Sequence, residues 1–512
     1  MKLVTSDQMR RIDSETINNY GISGPELMEN AGRGIAQNIS YKILNQTKNA
    51  RVVIICGKGN NGGDGFVVGR YLHENKYNIT IYFMGPVDKF TPDAGLNYNR
   101  ALNQGIAIHE IKVMADLPDH LSCDLIIDAI FGTGFAGAPR GLSGELIEYI
   151  NKHKLPVAAV DIPSGLNADT GQHEGSVVRA DYTFPLALPK FGLYISPGRE
   201  LSGQITTIPI GIPDEVINKF DYKSELITSG NVSSLLPFRK PDGHKGDFGK
   251  LFLVAGSLGM TGAAALAAKS ALRSGCGLAK IGCPGSVLPT IAQLAMEATL
   301  WPLPDVAKKG ALATRGLGEI LKFTKDHNAI AIGPGLGTHR ETAELVRRLI
   351  PRLDIPAVID ADGLNALQGH TDILNEIKVP SVLTPHPGEF NRLTGKPVSS
   401  DIHERIKAAT EFAQQYKVVL VLKGSPTIIA DSNGNSYLNP TGNNGMATGG
   451  CGDVLTGIIG SLLAQKMEAV NAAVCGVYIH GLAGNIASDD LGETSLIAGD
   501  LIDYLPEAFN LL

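Results

Sequence analysis

Short runs of Val and Ile alternate with amphipathic segments along nearly the whole chain. In the first half the runs are RVVIIC, NITIYFMG, CDLIIDAIFG, PVAAVDIP, ADYTFPLALP and GQITTIPIGIP. Segments with helical spacing, such as GFVVGRYLHEN and GELIEYINKH, lie between them. Continuous apolar runs separated by helices are typical of parallel sheets that are covered on both faces. The pattern therefore predicts an α/β fold.

The alternation lapses around residues 218–250 and then begins again. KLFLVAGS, GLAKIGCP, AIAIGPGLG, PAVIDADG, SVLTPHPGEF and VVLVLKGSPTIIA read as strands of the second half. A chain of 512 residues exceeds one ordinary core. We therefore predict two different α/β domains, residues 1–220 and 221–512, with 224–248 as a connector and the entry to the second domain.

Composition narrows the class of protein. The net charge is −6, with 43% hydrophobic and 19% charged residues, which gives no reason to expect a nucleic-acid or membrane partner. The sequence contains no run of eighteen consecutive apolar residues, so no membrane span is predicted. The six cysteines contain no C-x-x-C pair and are expected to be free thiols of a reducing cytoplasm.

The stretch GKGNNGGDGF, residues 57–66, fits G-x-G-x-x-G after an apolar strand. A redox dinucleotide site needs an acidic residue at the end of the second strand, but that strand ends in Met84-Gly85-Pro86. The loop also carries Asn60, Asn61 and Asp64, and a carboxylate beside a pyrophosphate is repulsive unless a cation or a sugar hydroxyl lies between them. The motif alone therefore leaves open what the loop binds.

Two other strand ends carry polar groups. Asp128 ends the run in IIDAIFGTGFAGAPRG, and Asp161 and Ser164 follow the run in VAAVDIPSG. Ligands bind at the carboxyl ends of parallel strands, so these loops should converge with the Gly-rich loop. Asn61, Asp128 and Ser164 offer only hard oxygens, which suit a group-I or group-II cation. Asp128 taken alone is equally consistent with a helix cap or a turn.

The motifs GNNGGDG, DAIFGTG and VDIPSGLNADTG resemble those of the NAD(P)HX epimerases, enzymes that interconvert the R and S forms of hydrated NADH and NADPH. The resemblance implies a Rossmann-like N-terminal domain that binds K⁺ through Asn61, Asp128 and Ser164. It implies that the hydrated nucleotide contacts Asn60, Asn61, Gly62, Gly63, Asp64, Gly132, Thr133, Gly134, Phe135, Ala136, Gly137, Ala138 and Asp161. Asp161 is the predicted acid/base of epimerisation at C6, through ring opening or an iminium. Lys190 is a second candidate, but the pattern favours a lysine at the surface or beside a helix cap.

The stretch NGMATGGCGDVLTGIIGSLL is the most specific signal of the second half. Gly449, Gly450 and Gly452 leave backbone N–H groups free for an anion, and Asp453 follows at the first turn of a helix. This run resembles the anion hole of ribokinase-like enzymes, in which the aspartate activates a hydroxyl group for phosphoryl transfer. GPGLG (333–337), His386 in TPHPGEF and Lys423 in LKGSPTII lie at other strand ends. Asp360, Asp362 and Asn365 in IDADGLNAL could hold Mg²⁺ through water or shape the turn.

Together these motifs resemble the ADP-dependent NAD(P)H-hydrate dehydratases, which have a ribokinase-like α/β/α fold. The resemblance implies that Asp453 is the catalytic base and that ADP arrives with Mg²⁺. It implies substrate contacts by Ala263, Gly335, His386 and Asp453, and nucleotide contacts by Lys423, Gly424, Ser425, Pro426, Thr427 and Gly452. Cys451 departs from the usual serine and puts a thiol beside the phosphate, where oxidation would inactivate the domain.

The resemblance runs from about residue 5 to about residue 505 and implies a bifunctional repair enzyme. Its substrates would be NADHX or NADPHX and ADP, and it would form a homo-oligomer. Two alternatives remain open. One is a ribokinase-like kinase of a vitamin precursor with an N-terminal nucleotide-binding module; the other is an N-terminal domain that only binds or scaffolds.

Overall fold

A computed structural model of the chain describes residues 1–45, 47–307 and 309–512. The chain divides into two compact units, Met1–Tyr222 and Lys223–Leu512, two residues beyond the boundary expected from the sequence. Each unit is built on one sheet with helices packed against it. The predicted fold class of two α/β domains is therefore confirmed.

The first unit holds a seven-stranded sheet in which every neighbouring pair is parallel, in the order β3-β2-β1-β4-β5-β6-β7. Its strands are β1 Arg51–Cys56, β2 Asn78–Met84, β3 Ala107–Ile111, β4 Leu125–Ala129, β5 Val157–Val160, β6 Tyr182–Phe184 and β7 Gln204–Ile205. The order reverses between β1 and β4, which is where ligands bind in open parallel sheets.

Both faces of this sheet are buried. Val52 and Ile54 of β1 belong to one apolar cluster and Val53 and Ile55 to another, because successive side chains of a strand point to opposite faces. The helices are α1 Ser6–Tyr20, α2 Gly24–Asn38, α3 Asn60–Glu74, α4 Pro92–Asn103, α5 Leu142–Lys152, α6 Gly198–Ser202 and α7 Asp214–Lys219.

The Gly-rich stretch after β1 differs from the expected loop. Residues 60–65 form the first turns of α3. A Cβ on Gly62 would lie 1.9 Å from the carbonyl oxygen of Gly57, and one on Gly65 would lie 2.6 Å from Cβ of Ala129. These glycines therefore allow the start of the helix to pack closely on the sheet, a contact that the motif spacing does not reveal.

The second unit holds a ten-stranded sheet in the order β11-β10-β9-β12-β13-β14-β15-β16-β17-β8. The strands are β8 Ser224–Leu226, β9 Lys250–Val254, β10 Leu278–Pro284, β11 Thr299–Leu303, β12 Ala329–Ile332, β13 Ala357–Ile359, β14 Ser381–Leu383, β15 Val419–Leu422, β16 Thr427–Ala430 and β17 Ser436–Asn439. Among the described strands of this sheet, only the β15–β16 and β16–β17 pairs are antiparallel. VVLVLKGSPTIIA, predicted as one strand, is thus a hairpin that turns at 423–426.

The helices of the second unit are α8 Ser229–Leu235, α9 Thr261–Arg273, α10 Leu288–Leu294, α11 Leu317–Thr324, α12 Arg340–Leu349, α13 Asp362–Asn365, α14 Pro387–Thr394, α15 Ile402–Tyr416, α16 Cys451–Ala464, α17 Ala469–Leu491 and α18 Ala498–Asn510. Part of the expected connector belongs to this unit, because β8 pairs with β17 and Val232 of α8 joins the apolar core. Polar composition concealed these short elements.

Helix α17 is long and apolar enough to cross a membrane by length and composition, but 61% of its most apolar window is buried inside the protein. Ala473, Val477 and Ala483 belong to the same apolar cluster as residues of α9 and α16. The helix is therefore part of the core of the second unit. Its buried small residues, such as Ala473, Gly476 and Ala483, allow neighbouring helices to pack closely.

Candidate functional sites

The polar strand ends of the first unit meet at one edge of the sheet. A cavity of about 640 Å³ is lined by α1, α2, the beginning of α3 and the segments that follow β1, β4, β5 and β6. Asn61, Asp64, Asp161 and Lys190 line it. The structure thus brings together residues that are more than a hundred positions apart, as expected for the carboxyl ends of parallel strands.

Asp161 is the most heavily hydrogen-bonded side chain of this site. Lys190 Nζ donates to its Oδ1 at 2.7 Å and the backbone N–H of Leu186 at 3.3 Å, while Thr133 donates to Oδ2 from both N–H and hydroxyl. Burial raises the pKa of Asp161, but Lys190 and Thr133 outweigh it and hold that pKa below its usual value. Asp161 therefore stays ionised, and its φ of +64° places it in a left-handed conformation uncommon for aspartate.

Lys190 corrects the expectation of a surface lysine. Its side chain is 1% exposed and donates to the carbonyl oxygen of Leu186 at 2.8 Å as well as to Asp161. A buried ammonium group is stable only when its donors are satisfied and its charge is paired. The Lys190–Asp161 pair is therefore the electrostatic centre of the cavity.

Asp64 and Asp128 differ in their surroundings. Burial is the main reason that the pKa of Asp64 is raised well above its ordinary value. The negative charges of Asp161 and Asp13 add to this rise. Burial raises the pKa of Asp128 to about 6, although Ser164 donates to it from Oγ at 2.6 Å and from N at 2.8 Å. Asp13 of α1 also lines the cavity and was not singled out from the sequence.

The predicted cation ligands contain one unsatisfied group. The amide oxygen and nitrogen of Asn61 are buried and have no hydrogen-bond partner among the described residues. A Cβ on Gly132 would lie 3.0 Å from Asn61 Oδ1 and 3.1 Å from Asp161 Oδ2, so the Gly-rich segment crosses over both side chains. An orphaned amide oxygen is a group that a bound cation would satisfy, whereas Asp128 and Ser164 are hydrogen-bonded to each other.

The site of the second unit lies at the carboxyl ends of four adjacent strands. Gly335 follows β12, Asp360 follows β13, His386 follows β14 and Lys423 follows β15. Lys423 Nζ donates to Asp360 Oδ1 at 3.0 Å, and Thr456 of α16 donates to Asp360 Oδ2 at 2.6 Å. Asp360 therefore joins the strand ends to the helix that carries the anion-hole motif.

The N-terminus of α16 faces this lysine. A Cβ on Gly452 would lie 3.3 Å from Lys423 Nζ, and Gly450 has a φ of +98° that favours glycine. The first-turn N–H groups of a helix have no intrahelical acceptor and attract anions. Burial raises the pKa of Asp453 to about 7, and the negative charge of Asp360 adds to the rise. A pKa near 7 suits a general base at neutral pH.

Lys423 remains charged. Burial lowers its pKa, but Asp360 and Glu389 outweigh burial and raise that pKa above its usual value. Asp362 accepts from Gly337 N–H at 2.8 Å and from Asn365, so it shapes the loops after β12 and β13. The sequence left two roles open for Asp362, Mg²⁺ binding through water and shaping of the turn. Its hydrogen bonds support the second role.

His386 and Ala263 occupy different surroundings. His386 is the N-cap of α14, where its Nδ1 accepts from Gly388 N–H at 3.0 Å; its side chain is 49% exposed. A Cβ on Gly335, whose φ is +60°, would lie 2.9 Å from Cβ of Ala263. Ala263, at the start of α9, therefore lies beside Gly335; both residues are substrate contacts implied by the family resemblance.

The segment 423–427 contains the turn of the β15–β16 hairpin and the first residue of β16. Arg405 of α15 donates to the carbonyl oxygen of Pro426 at 3.1 Å, and a Cβ on Gly424 would lie 2.5 Å from its Nη2. Arg405 was not predicted from the sequence, because the spacing of α15 gives no sign that it reaches this turn. It supports the backbone of the turn from the helix side.

Cys451 and His480 meet at the start of α16. His480 Nε2 donates to the carbonyl oxygen of Cys451 at 2.9 Å, and burial lowers the pKa of His480 to about 4. Burial raises the pKa of the Cys451 thiol to about 11. The thiol is therefore protonated at neutral pH, which argues against ready oxidation; the oxidation sensitivity expected from the sequence stays a prediction. All six cysteines are free and buried.

Comparison with known proteins agrees with this division. Residues 251–507 match the family described as NAD(P)H-hydrate dehydratase, and residues 24–192 match the family described as YjeF-related protein N-terminus. A bifunctional NAD(P)H-hydrate repair enzyme of Moorella thermoacetica is 41% identical over 99% of this chain and 96% of its own length. The chain belongs to the family of bifunctional NAD(P)H-hydrate repair enzymes.

Other members of the family match over equal lengths. The repair enzyme of Thermofilum pendens is 38% identical over 100% of this chain and 97% of its own length, and that of Escherichia coli K12 is 34% identical over 99% and 93%. The crystal structure of an ADP/ATP-dependent NAD(P)H-hydrate dehydratase from Bacillus subtilis is 37% identical, covers 56% of this chain and 97% of its own, and has a TM-score of 0.48. The full-length matches to the repair enzymes confirm the family resemblance predicted from the motifs.

Proposed function

We propose that this enzyme restores hydrated NADH and NADPH by two reactions. The first unit interconverts R- and S-NAD(P)HX, and the second dehydrates the S form at the expense of ADP, with AMP and phosphate as products. The observation that carries the proposal is the meeting of Asp453, Lys423 and the N-terminus of α16 at one edge of the second sheet. Full-length membership of the repair family supports the pairing of the two reactions.

In the dehydratase reaction, Asp453 removes the proton of the C6 hydroxyl group as its oxygen attacks the terminal phosphoryl group of ADP. The N–H groups of residues 450–452 and the ammonium of Lys423 stabilise the charge on that phosphoryl group. AMP leaves. The C6–O bond then breaks with departure of phosphate as the lone pair of the ring nitrogen forms an iminium with C6, and loss of a proton from C5 restores the C5–C6 double bond of NAD(P)H. The pKa of Asp453, raised to about 7, lets the carboxylate accept a proton near neutral pH.

Mg²⁺ is the cation expected with the nucleotide. No group of three or more His, Cys, Asp or Glu side chains is placed to hold a metal among the described residues. Several carboxylates nevertheless lie near Lys423. The pKa of Lys423 is influenced by Asp360, Glu389 and Asp453, and the pKa of Asp453 by Asp360, Asp362 and Glu389. This excess of negative charge would repel a polyphosphate unless a divalent ion came with it, and Mg²⁺ is commonly bound through phosphates and one or two carboxylates. Asp360 and Asp453 are the carboxylates that would face it.

In the epimerase reaction, the buried pair of Asp161 and Lys190 holds the reacting ring, and residues 60–64 and 132–138 hold the rest of the nucleotide. Because Asp161 accepts four hydrogen bonds, we assign it to anchoring Lys190 and Thr133; its predicted acid/base role is less favoured by its low pKa. Asn61, Asp128 and Ser164 would hold K⁺, which would supply positive charge for the anionic nucleotide.

The substrate contacts assigned to Ala263, Gly335 and His386, and the ADP contacts assigned to 423–427 and Gly452, belong to the same proposal. Gly335, His386 and 423–427 follow strands, and Ala263 and Gly452 lie in the first turns of α9 and α16; these positions support it. Cytoplasmic location and a homo-oligomeric state are further parts of it; light scattering on the purified protein tests the latter.

The kinase alternative is less favoured. A vitamin-precursor kinase would use the second unit alone and would leave the polar cavity of the first unit without a role. Matches over the whole chain to bifunctional relatives support two sites.

Absorbance at 340 nm tests the proposal. The protein is mixed with R- and S-NADHX, Mg²⁺, K⁺ and either ADP or ATP. Full recovery of NADH with ADP is expected. Recovery that stops when the S form is consumed would overturn the epimerase reaction, and no recovery with either nucleotide would favour the kinase.

A further inference from the structure

Helix α1 places the acidic side chain of Asp13 on the face that carries its buried residues. Met9, Ile12 and Thr16 are buried along this helix. Asp13 follows Met9 by four residues, which places it on the same face. Asp7 and Arg11 of the same helix form an exposed ion pair, with side chains 59% and 66% exposed. Asp13 is thus an exception to the amphipathic pattern of α1, since carboxylates are rarely placed on an inward face.

Packing holds α1 against the site. Ser6 donates to Asp169 Oδ1 from its backbone N–H at 2.6 Å and from its hydroxyl at 3.0 Å. Met9 and Ile12 pack in one apolar cluster with Leu188, which lies two residues before Lys190. The position of Asp13 is therefore set by contacts on both sides of it along the helix.

Asp13 faces the cavity together with Lys190 and Asp161. The structure shows no hydrogen bond or ion pair of the Asp13 carboxyl group with any described residue. Burial raises the pKa of Asp13 to about 6; Lys190 opposes this rise and Asp161 adds to it. Asp13 also contributes to the raised pKa of Asp64. Lys190 and Asp161 on other elements thus act on Asp13, and the titratable groups of Asp64, Lys58 and Asp93 line the same cavity.

The two carboxyl groups of Asp13 and Asp161 are suited to different tasks. Asp161 accepts four hydrogen bonds and has its pKa held low, so it is a poor proton acceptor. Asp13 has free oxygens and a pKa near the range in which a general base works best. Neighbouring titratable groups whose surroundings separate their pKa values commonly divide catalytic roles in this way.

We propose that Asp13 is the catalytic base of the epimerase site, and that Asp161 positions Lys190 beside it. This inference rests on the proposed epimerase function. The Asp13 carboxylate takes the proton of the C6 hydroxyl group, and the C6–O bond becomes a carbonyl as the bond from C6 to the ring nitrogen breaks. The electron pair of that bond goes to the nitrogen, where the conjugated carboxamide delocalises it. After rotation about C5–C6, the nitrogen attacks the other face of the carbonyl, and Asp13 returns the proton to the oxygen.

The full-length variant Asp13→Asn tests this assignment with the S-specific second unit as an internal reference. Conversion of R-NADHX is followed by chromatography of the epimers without ADP, and dehydration of S-NADHX is followed at 340 nm with ADP. We expect the kcat of epimerisation to fall about 100-fold or more, with KM within about twofold. Dehydration of the S form should keep its wild-type rate.

The matched control is Asp7→Asn, which makes the same chemical change at an exposed position of α1. It should epimerise at the wild-type rate. Asp13→Glu, which keeps the carboxyl group, should recover part of the activity lost in Asp13→Asn. A wild-type kcat in Asp13→Asn, or a loss confined to KM, would overturn the proposal. Failure of the wild-type protein itself to epimerise would instead overturn the proposed function.

The pH profile of the wild-type enzyme gives a second test that does not depend on the folding of a variant. A base with a pKa of about 6 loses its proton-accepting form below that pH, so kcat for epimerisation should fall as the pH decreases through about 6. A profile that is flat between about pH 5 and 8 would contradict the assignment.

Discussion

Lys190 Nζ donates a 2.7 Å hydrogen bond to Asp161 Oδ1, and the two side chains are 1% and 9% exposed. They come from the segments that follow two neighbouring strands, β6 and β5. An ion pair this deeply buried is sensitive to loss of either member, since the remaining charge has no water to solvate it.

Lys190→Met should therefore impair both stability and epimerisation. It leaves Asp161 buried without its cation, which costs about 3–5 kcal/mol in comparable buried pairs. Thermal unfolding of the first unit should move to lower temperature, and epimerisation should be lost. Lys219→Met is the control, because Lys219 also pairs with a carboxylate, Glu15, but its own side chain is 54% exposed. Equal effects of the two substitutions would contradict the central role of Lys190.

Asp453→Asn should separate the two activities. The amide cannot accept the proton of the C6 hydroxyl group, so dehydration of S-NADHX should fall by about 10²–10⁴-fold. Epimerisation of R-NADHX should remain at the wild-type rate, since Asp453 belongs to the other unit. Asp326→Asn, an exposed position between α11 and β12, should leave both rates unchanged. A dehydration rate that stays within about threefold of wild type would show that another group is the base.

The dehydratase rate should depend on pH through Asp453. Because burial raises the pKa of Asp453 to about 7, the carboxyl group is mainly protonated below pH 7 and cannot act as a base. The rate at saturating S-NADHX and ADP should therefore rise between about pH 6 and 8 and level off above it. Measurement at 340 nm over this range tests the prediction; a rate that decreases with pH would assign Asp453 the opposite role.

Cys451→Ser should have little effect on either activity. The backbone N–H of residue 451 is retained, and the thiol, whose pKa is raised to about 11, is buried and protonated at neutral pH. Native protein should react slowly with a thiol reagent such as 5,5′-dithiobis(2-nitrobenzoate), with no loss of dehydration rate over the same period. Rapid inactivation by the reagent in the wild type, but not in Cys451→Ser, would show instead that the thiol is exposed to solvent during turnover.

The amino-acid sequence by itself determined the fold class and the residue types at the strand ends. Val- and Ile-rich runs can be buried on both faces only in a covered parallel sheet, and residues such as Asp128, Asp161 and Lys423 end those runs. Strands β3, β8, β11 and β17 were not predicted, because their short or polar sequences lack the apolar continuity of the central strands. The helical start of α3 was missed for a related reason, since glycines at 62, 63 and 65 read locally as a loop.

Only the tertiary structure decided which polar groups share an environment. The burial of Lys190, the four hydrogen bonds of Asp161 and the position of Asp13 depend on contacts between α1 and the segments after β5 and β6. In the second unit, Thr456 and Glu389 reach Asp360 and Lys423 from separate helices. Burial and charge from distant parts of the chain set the pKa of each carboxyl group, and local sequence contains neither quantity.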